Sequence, residues 1–518
     1  MNWTSCAASV YYKPVIRRDG EKNPPAKPSL ERKRVESVKS QAKKNYMHIL
    51  IALVLGVVLK LIVPASNGLT EVGVSVIAVF VPILYLWLTV GTDWPSWLCL
   101  ALIFMTGVMT PAAVFSGTFG SGLIITVIGM MAFSKVLVDT GVIETIVKWA
   151  VTRRFVRNRP YVFIALVLVV CGVISCVMDV GSVALIFISI IAATCEEIGY
   201  KKGDPFYTAL IIGLFWVSNA FNGGSPLGHA LPLIMMNAAS AGGYEITYSQ
   251  WMSVGIPAAV IISAVCIIFI CLIWRPEASK FCNYDIEAHR KEVKPLTKQG
   301  KITIVLLLLV ILYWILPTIF PGMLSEGVKA KYTAWGSNLP LIIAMVLLCV
   351  IHVDNKPVAS FRDMTSTSTV TVLLFIGAVT VLGSAVSSTD TGISACLANL
   401  LSPVTSKMGV FMIVALSTLG CIILTNFISN TVCMLLFFSL SVPLVAAAGV
   451  PTLGVIIVLC VAACFASLVP SAAVTAPFFF GPGHITVKNT AKVNIIMIIV
   501  TWAILSFVIY PLSGVILG

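Results

Sequence analysis

The chain has 518 residues, 58% of them hydrophobic and only 11% charged. A water-facing surface needs roughly 25% charged residues, so this composition excludes a soluble enzyme, a nucleic-acid-binding domain and a disordered scaffold. The apolar runs recur almost from end to end without the strict alternation of a membrane barrel, which leaves an all-α polytopic membrane protein.

The net charge of +13 is concentrated at the start of the chain. Eleven of the 34 Lys and Arg lie between Lys13 and Lys44, opposed by Asp19, Glu21, Glu31 and Glu36. With Pro24, Pro25 and Pro28 and no apolar run, residues 1–46 read as a flexible basic cytosolic arm beside anionic lipid, with no nucleic-acid partner. Continuous spans of about 20 apolar residues are expected at 47–65, 71–91, 96–115, 117–138, 250–274, 302–320, 336–352, 366–387 and 493–516. Four further runs are interrupted. Residues 160–198 break at Met178-Asp179-Val180-Gly181 and 409–448 at Ser429-Asn430-Thr431; residues 205–240 break at Asn222 to Gly228 and 452–480 at Pro470 to Pro477.

Charge orients these segments. Lys148, Arg153, Arg154, Arg157 and Arg159 precede the first broken run and Lys201 with Lys202 follow it, so both of its ends read as cytoplasmic. Arg275 to Lys301 carries seven Lys or Arg and is also inside, whereas Ala241 to Ser249 carries none and reads as outside. The expected architecture is about eleven transmembrane helices plus two helical hairpins in the cell membrane, with a cytoplasmic N-terminus. Residues 47–274 form a first membrane repeat with a leading helix, 275–301 a cytosolic linker and 302–518 a second repeat.

The repeat is visible as a register. Asp139-Thr140-Gly141 recurs as Asp390-Thr391-Gly392, an offset of 251, and the same offset carries Asp179 onto Asn430 and Pro226 onto Pro477. Opposed charge flanks place the halves in opposite orientations, the signature of an inverted-repeat secondary transporter with its site between broken segments near the midplane. The Asp-Thr-Gly match alone reads as a turn opening an interfacial helix.

Asp179 is the sharpest single residue. At the deepest point of a re-entrant hairpin an Asp costs roughly 2.5 to 3.5 kcal/mol on insertion scales, so its presence there calls for a function. If the run instead makes two full spans, Asp179 is an ordinary external loop residue. Ser429, Asn430 and Thr431 offer a neutral set that can give oxygens to a hard cation and donors to an anion. Asn219, Asn222, Gly224 and Ser225 lie at the next break, where glycine permits close backbone approach. His229 and His484 follow such loops and read as polar boundary residues, with proton relay as the alternative. The fourteen Cys are scattered through apolar segments without a Cys-x-x-Cys pair and read as packing residues, Cys460 and Cys464 lying one helical turn apart.

Thr425-Asn426-Phe427-Ile428-Ser429-Asn430-Thr431 resembles the Ser-Asn-Thr hairpin-tip motif of the divalent anion/sodium symporter family, within the ion transporter superfamily. Gly223 to Gly228 and Thr475-Ala476-Pro477 are similar to that family's loops in interrupted helices. The resemblance spans roughly residues 47–518. It implies one hairpin entering from each side, a homodimer held by a scaffold domain, and elevator-like movement of a small anionic substrate such as a dicarboxylate with cations. Carried over, Ser429, Asn430, Thr431, Asn222, Gly224, Ser225 and Thr475 would contact substrate. Asp179, Ser175, Thr425 and Asn430 would bind or couple cations, a sodium ion being the only bound group implied. In the first repeat Met178-Asp179-Val180 stands where Ser-Asn-Thr is expected, so two hydroxyls are absent and an amide has become an acid.

No nucleophile–base set, paired intramembrane acids or His-Glu-x-x-His motif appears in the sequence, and an enzyme is not expected. The reading is a secondary active transporter of a small organic or inorganic anion coupled to protons, sodium or both. The alternatives are a sodium/proton antiporter of the same superfamily or a carrier of a zwitterionic or cationic solute.

Overall fold

The computed structural model describes residues 28–518 apart from 179, 285–286, 288–289, 291–292, 320–324, 337, 365–366, 394, 397–398, 401–408, 471, 474, 482 and 518. Asp179, and residues 1–27 of the basic arm, lie outside the described residues. The first half contains α1 (Pro28–Ile62), α2 (Glu71–Thr89), α3 (Trp94–Thr106), α4 (Pro111–Thr118), α5 (Gly122–Asp139) and α6 (Val142–Val151). It continues with α7 (Pro160–Ser175), α8 (Val180–Ile198), α9 (Pro205–Gly224), α10 (Ala230–Ala241) and α11 (Tyr248–Ile268). After the linker come α12 (Lys298–Ile319), α13 (Glu326–Trp335), α14 (Leu339–Val350), α15 (Phe361–Met364) and α16 (Thr367–Ser387). The second half closes with α17 (Val410–Leu424), α18 (Asn430–Ala447), α19 (Leu453–Cys464), α20 (Ala476–Phe480), α21 (Val487–Ile504) and α22 (Tyr510–Leu517). A two-stranded antiparallel ribbon, β1 (His352–Val353) and β2 (Lys356–Pro357), follows α14.

Among the described residues six helices are long and apolar enough to cross a membrane, seven if the pair Ile124–Asp139 and Val142–Val151, bent by 59°, counts as one span. Several expected spans are built from shorter pieces. The run 96–115 is interrupted after Thr106, where Gly107 adopts a left-handed φ of 72° and Thr110-Pro111 starts a new helix. The helix expected over 336–352 runs only from Leu339 to Val350 before the ribbon turns it back. At the other end, α1 begins at Pro28 rather than near residue 47, so residues 28–46 of the expected flexible arm are helical. Local chemistry explains most starts: Thr70 and Thr110 cap α2 and α4, Pro160 and Pro205 open α7 and α9, and Thr247 with Gln250 forms a capping box on α11.

The inverted repeat is carried by reciprocal contacts. Thr70, ahead of α2, donates its hydroxyl to the carbonyls of Asp390 (2.7 Å) and Thr391 (3.1 Å) in the second half. Thr297, ahead of α12, donates its hydroxyl to the carbonyl of Thr140 (3.2 Å) in the first half. Each threonine also accepts from the glycine three residues on, Gly73 and Gly300, at 3.0 Å. The Asp-Thr-Gly turns are thus the seats on which α2 and α12 of the opposite halves start. The exchange continues in the packing: α3 and α4 lie on α16, while α14 and α15 lie on α5. Both halves also carry a π-helical turn late in their course, Phe269–Trp274 after α11 and Leu505–Ile509 between α21 and α22.

Packing sorts the helices into two groups. The first comprises α1 to α5 with α12, α14 and α16; the second comprises α7 to α9, α11, α17 to α19, α21 and α22. They meet chiefly through α6, α10 and the α11–α12 contact. Within the second group α9 is buried from Phe206 to Gly224 and α19 from Gly454 to Cys464, and each carries one hairpin: α7 and α8 on α9, α17 and α18 on α19. The contact of α9 with α11 is backbone to backbone. A Cβ on Gly224 would lie 2.5 Å from the Gly255 carbonyl oxygen and one on Gly255 2.3 Å from that of Gly224, while one on Gly223 would lie 2.6 Å from Val461 Cα. Only glycine fits such an approach.

Candidate functional site

Each hairpin tip carries buried residues, although Phe427 of the second is 58% exposed. Ser175 and Met178 at the first, and Thr425 and Asn426 at the second, are at most 1% exposed. Each hairpin reaches across to the other half: α8 packs on α20 and α18 packs on α10. The first tip meets the α9–α10 loop and the second the α19–α20 segment, and α9 touches the latter segment through Asn219 and Ala466, so the candidate site lies among α7/α8, α17/α18 and these two breaks.

At the second tip α17 stops at Leu424 and α18 restarts at Asn430, the position expected from the sequence. The Thr425 hydroxyl lies 2.6 Å from the Ala463 carbonyl oxygen and 3.1 Å from Asn430 Oδ1. One hydroxyl hydrogen serves two acceptors, so three oxygens crowd one point, an arrangement a small hard cation would satisfy better than a single proton. Ser429 occupies the N-cap of α18 without making a side-chain cap bond, and the first intrahelical bond is accepted by its carbonyl from Cys433 N at 2.9 Å. The amides of Asn430, Thr431 and Val432 thus belong to a helix N-terminus, which favours negative charge. Thr431 is buried just inside it.

At the first tip the α9–α10 loop folds over the end of α7. Ser225 donates its hydroxyl to the Cys176 carbonyl at 2.6 Å and accepts from Leu227 N at 3.2 Å. A Cβ on Gly228 would lie 2.4 Å from the Ser175 carbonyl oxygen and 2.9 Å from that of Met178, so the loop backbone is seated directly on the tip. Asn222, buried on the last turn of α9, has an Oδ1 without a hydrogen-bond partner among the described residues. Gly224 is buried against Gly255.

The expected residues Thr425 and Asn430 are brought together with the Ala463 carbonyl, and Ser225 is joined to the Ser175–Met178 turn. Thr475 caps α20 and makes no side-chain cap bond. His229 accepts with Nδ1 from Leu231 N at 3.0 Å and so caps α10. His484 lies in the loop between α20 and α21, its Nδ1 2.5 Å from the Tyr207 hydroxyl. Burial, reinforced by Lys202 and opposed by Glu196, holds its imidazole below the ordinary range.

Sequence reasoning missed a polar layer behind the site. Asn494 on α21, Ser467 in the α19–α20 segment and Trp216 on α9 are fully buried, and Ser467 and Trp216 are each hydrogen-bonded to Asn494. An Asn inside an apolar span was the available signal, since such a group is retained only where it finds partners. The buried polar side chains among the described residues are Ser, Thr and Asn together with His484, beside the O–H and N–H groups of buried Tyr and Trp. A separate cleft of about 640 Å³ runs between α6 and α8, lined by Glu144, Lys148, Ser189, Thr194, Glu197 and Tyr284, away from both tips.

Comparison with known proteins identifies this architecture. Residues 82–462 match the family model described as "Citrate transporter". The chain is 23% identical over 511 residues to the sodium-dependent dicarboxylate transporter SdcS of Staphylococcus saprophyticus, covering 92% of this chain and 95% of that protein. It is 23% identical over 305 residues to human solute carrier family 13 member 1, about half of each chain (51%). An uncharacterized transporter of Haemophilus influenzae matches at 20% identity over 341 residues, 66% of this chain and 70% of that protein. Among solved structures, the YdaH transporter of Alcanivorax borkumensis aligns with a TM-score of 0.51 at 11% identity, covering 80% of this chain and 89% of that one.

Proposed function

The chain belongs to the citrate transporter family, and from that premise we propose that it is a secondary active transporter carrying a small carboxylate anion across the cytoplasmic membrane, coupled to sodium, protons or both. Membership makes it a multi-pass membrane transporter and not an enzyme, within the divalent anion/sodium symporters that its sequence resembles.

The observation that carries the reading is the convergence of Thr425 Oγ1, Asn430 Oδ1 and the Ala463 carbonyl beside the N-terminus of α18. Oxygens suit a cation there, and helix amides suit a carboxylate one step away. The described buried polar groups near the tips are neutral, so a co-bound cation would balance the anion's charge. Ser429, Asn430 and Thr431 form one half of the substrate site in this proposal, and Asn222, Gly224, Ser225 and Thr475 the other. Ser175 and Asp179 belong to the first cation or coupling position.

The division into two helix groups supports elevator-like transport, with the hairpin-bearing group moving against the group built on α2, α5 and α16. A homodimer joined through the latter and an N-terminus in the cytoplasm complete the proposal. The test is uptake of labelled citrate and succinate into proteoliposomes under imposed sodium and pH gradients. Uptake driven by either gradient supports the reading; sodium or proton flux that proceeds without any organic anion would overturn it in favour of cation exchange.

A further inference from the structure

Three buried asparagines, one on α9, one on α21 and one at the second hairpin tip, together hold residues 466–468. Asn219 of α9 donates Nδ2 to the Ala466 carbonyl at 3.2 Å. Asn426, at the second hairpin tip, accepts with Oδ1 from Ser467 N (2.9 Å) and Leu468 N (2.8 Å), and its Nδ2 donates to the Ile422 carbonyl at 2.7 Å. Asn494 of α21 donates Nδ2 to the Ser467 carbonyl at 2.8 Å, and its Oδ1 accepts from the Ser467 hydroxyl (3.2 Å) and the Trp216 indole N–H (2.7 Å). None of the three asparagines is more than 2% exposed.

The segment they hold follows the end of α19 at Cys464, where the backbone has left the helix and its N–H and C=O groups have lost their regular partners. Buried backbone groups of this kind must be met from elsewhere, and here side-chain amides meet them. The clamp lies beside the candidate cation position on both sides. Asn426 follows Thr425 in the chain, and Ala466 lies three residues after Ala463, whose carbonyl accepts the Thr425 hydroxyl. Whatever fixes residues 466–468 against the hairpin tip therefore fixes the Ala463 oxygen against the Thr425 and Asn430 oxygens.

We propose that Asn494 is a positioning residue for cation binding. From α21, and without touching the cation, it holds the Ser467 peptide so that the oxygens contributed by α19 and by the second hairpin meet at one point. This rests on the transporter reading above and adds to it the group that sets cation affinity. A residue with this role alters how much cation is needed, not how fast a fully loaded protein turns over.

The experiment uses the full chain in proteoliposomes, with labelled citrate uptake titrated against sodium at fixed pH and against pH at fixed sodium. Sodium protection against thermal unfolding in detergent, without anion, is measured alongside. Asn494→Ala is expected to raise the half-saturating cation concentration about tenfold in both assays, because the Ser467 carbonyl and hydroxyl and the Trp216 N–H lose their partner, with the maximal rate within about twofold of the parent. Ser467→Ala removes one hydroxyl and should shift it about two- to fivefold, which keeps the test alive if Asn494→Ala does not fold. Trp502→Phe deletes another indole hydrogen bond of the same helix, donated to the Ala415 carbonyl at 2.9 Å, and should leave cation dependence unchanged. The proposal is overturned if folded Asn494→Ala or Ser467→Ala keeps the parent cation dependence, if the maximal rate alone falls, or if Trp502→Phe produces the same shift. If the parent is protected by cations yet carries no carboxylate, the transporter reading fails while the clamp is still judged on protection. If neither sodium nor protons protect the parent or drive its uptake, the clamp proposal falls as well.

Discussion

Thr70 and Thr391 meet twice: the backbone N–H of Thr70 donates to the Thr391 carbonyl at 3.1 Å, and the Thr70 hydroxyl donates to the same oxygen at 3.1 Å. The pair joins residues 321 positions apart, and its counterpart, Thr297 on Thr140, runs in the opposite direction between the halves. Each contact starts a helix of one repeat on a turn of the other. The halves are therefore interlocked rather than simply stacked.

Thr70→Val and Thr297→Val each remove a cap hydroxyl and should cost about 1 kcal/mol of stability apiece. Thermal unfolding in detergent is expected to fall for both, by similar amounts. The substrate concentration for half-maximal uptake should not change, since neither residue lies near the hairpin tips.

Asn430→Ala removes an acceptor and a donor from a half-buried tip, where an unmet buried partner costs about 1 to 3 kcal/mol. Uptake at limiting cation should fall at least tenfold. Thr425→Val, which deletes the hydroxyl shared between Ala463 and Asn430, should act in the same direction. Parent-level transport by well-folded Asn430→Ala would remove it from the site.

Gly228→Ala forces a methyl group against the Ser175 and Met178 carbonyl oxygens. Backbone atoms cannot swing aside as a side chain can, so the loop must lift off the first hairpin at a cost of about 1 to 3 kcal/mol. Loss of uptake with a lowered unfolding temperature is expected. Gly327→Ala, at a position with open space around it, should change neither.

His484 gives a pH dependence of definite sign. Its imidazole is held below the ordinary value of about 6.5, chiefly by burial and then by Lys202. The unfolded chain takes up a proton that the folded one refuses, so this contribution is fully present above about pH 6.5. It is lost progressively as pH falls towards the folded value. His484→Gln retains a polar contact for Tyr207 without a titrating group. Its unfolding temperature should decline less than the parent's between about pH 6.5 and 5.

Asp179 lies opposite Asn430 in the repeat register, and the prediction for it rests on sequence. Ionised at about 5 Å from a substrate carboxylate, it would repel the anion by roughly 3 kcal/mol at an effective dielectric of about 20. An anion should then bind only after a proton or a sodium ion neutralises the acid, which makes the two binding events mutually dependent. Asp179→Asn is expected to keep anion binding and lose part of its dependence on pH or sodium. Loss of anion binding altogether would instead favour a cationic or zwitterionic substrate.

The breaks were legible where local chemistry makes them. The stop and restart around Ser175–Val180 and Leu424–Asn430 fall where polar residues and glycine interrupt apolar runs. The interruption of α9 at Ser225 follows from Gly223 to Gly228 in the same way. In the second half, however, α19 ends at Cys464, before the first proline of its segment at Pro470. That early ending is stabilised by Asn219, Asn426 and Asn494, residues 247, 41 and 27 positions from their partners, and no local pattern announces it. Asn494 went unnoticed because one Asn in an apolar helix fits no motif until its partners are in view. The kink after Thr106 did have a signal, Gly107 with Thr110-Pro111, but apolar content on both sides masked it.

The glycine seam between α9 and α11 has a mechanical consequence. Side chains absorb small displacements by changing rotamer, whereas two backbones in contact have nothing to yield. Gly224 and Gly255 therefore weld the two helices into a single stiff beam at the place where α9 gives way to the Ser225–Gly228 loop, and Gly223 ties the same beam to Val461 of α19. Compliance in this half of the molecule has to lie elsewhere, in the hairpin tips and unwound segments. Mutational tolerance should follow the same line, with enlargement at these three glycines the least forgiven of changes in α9.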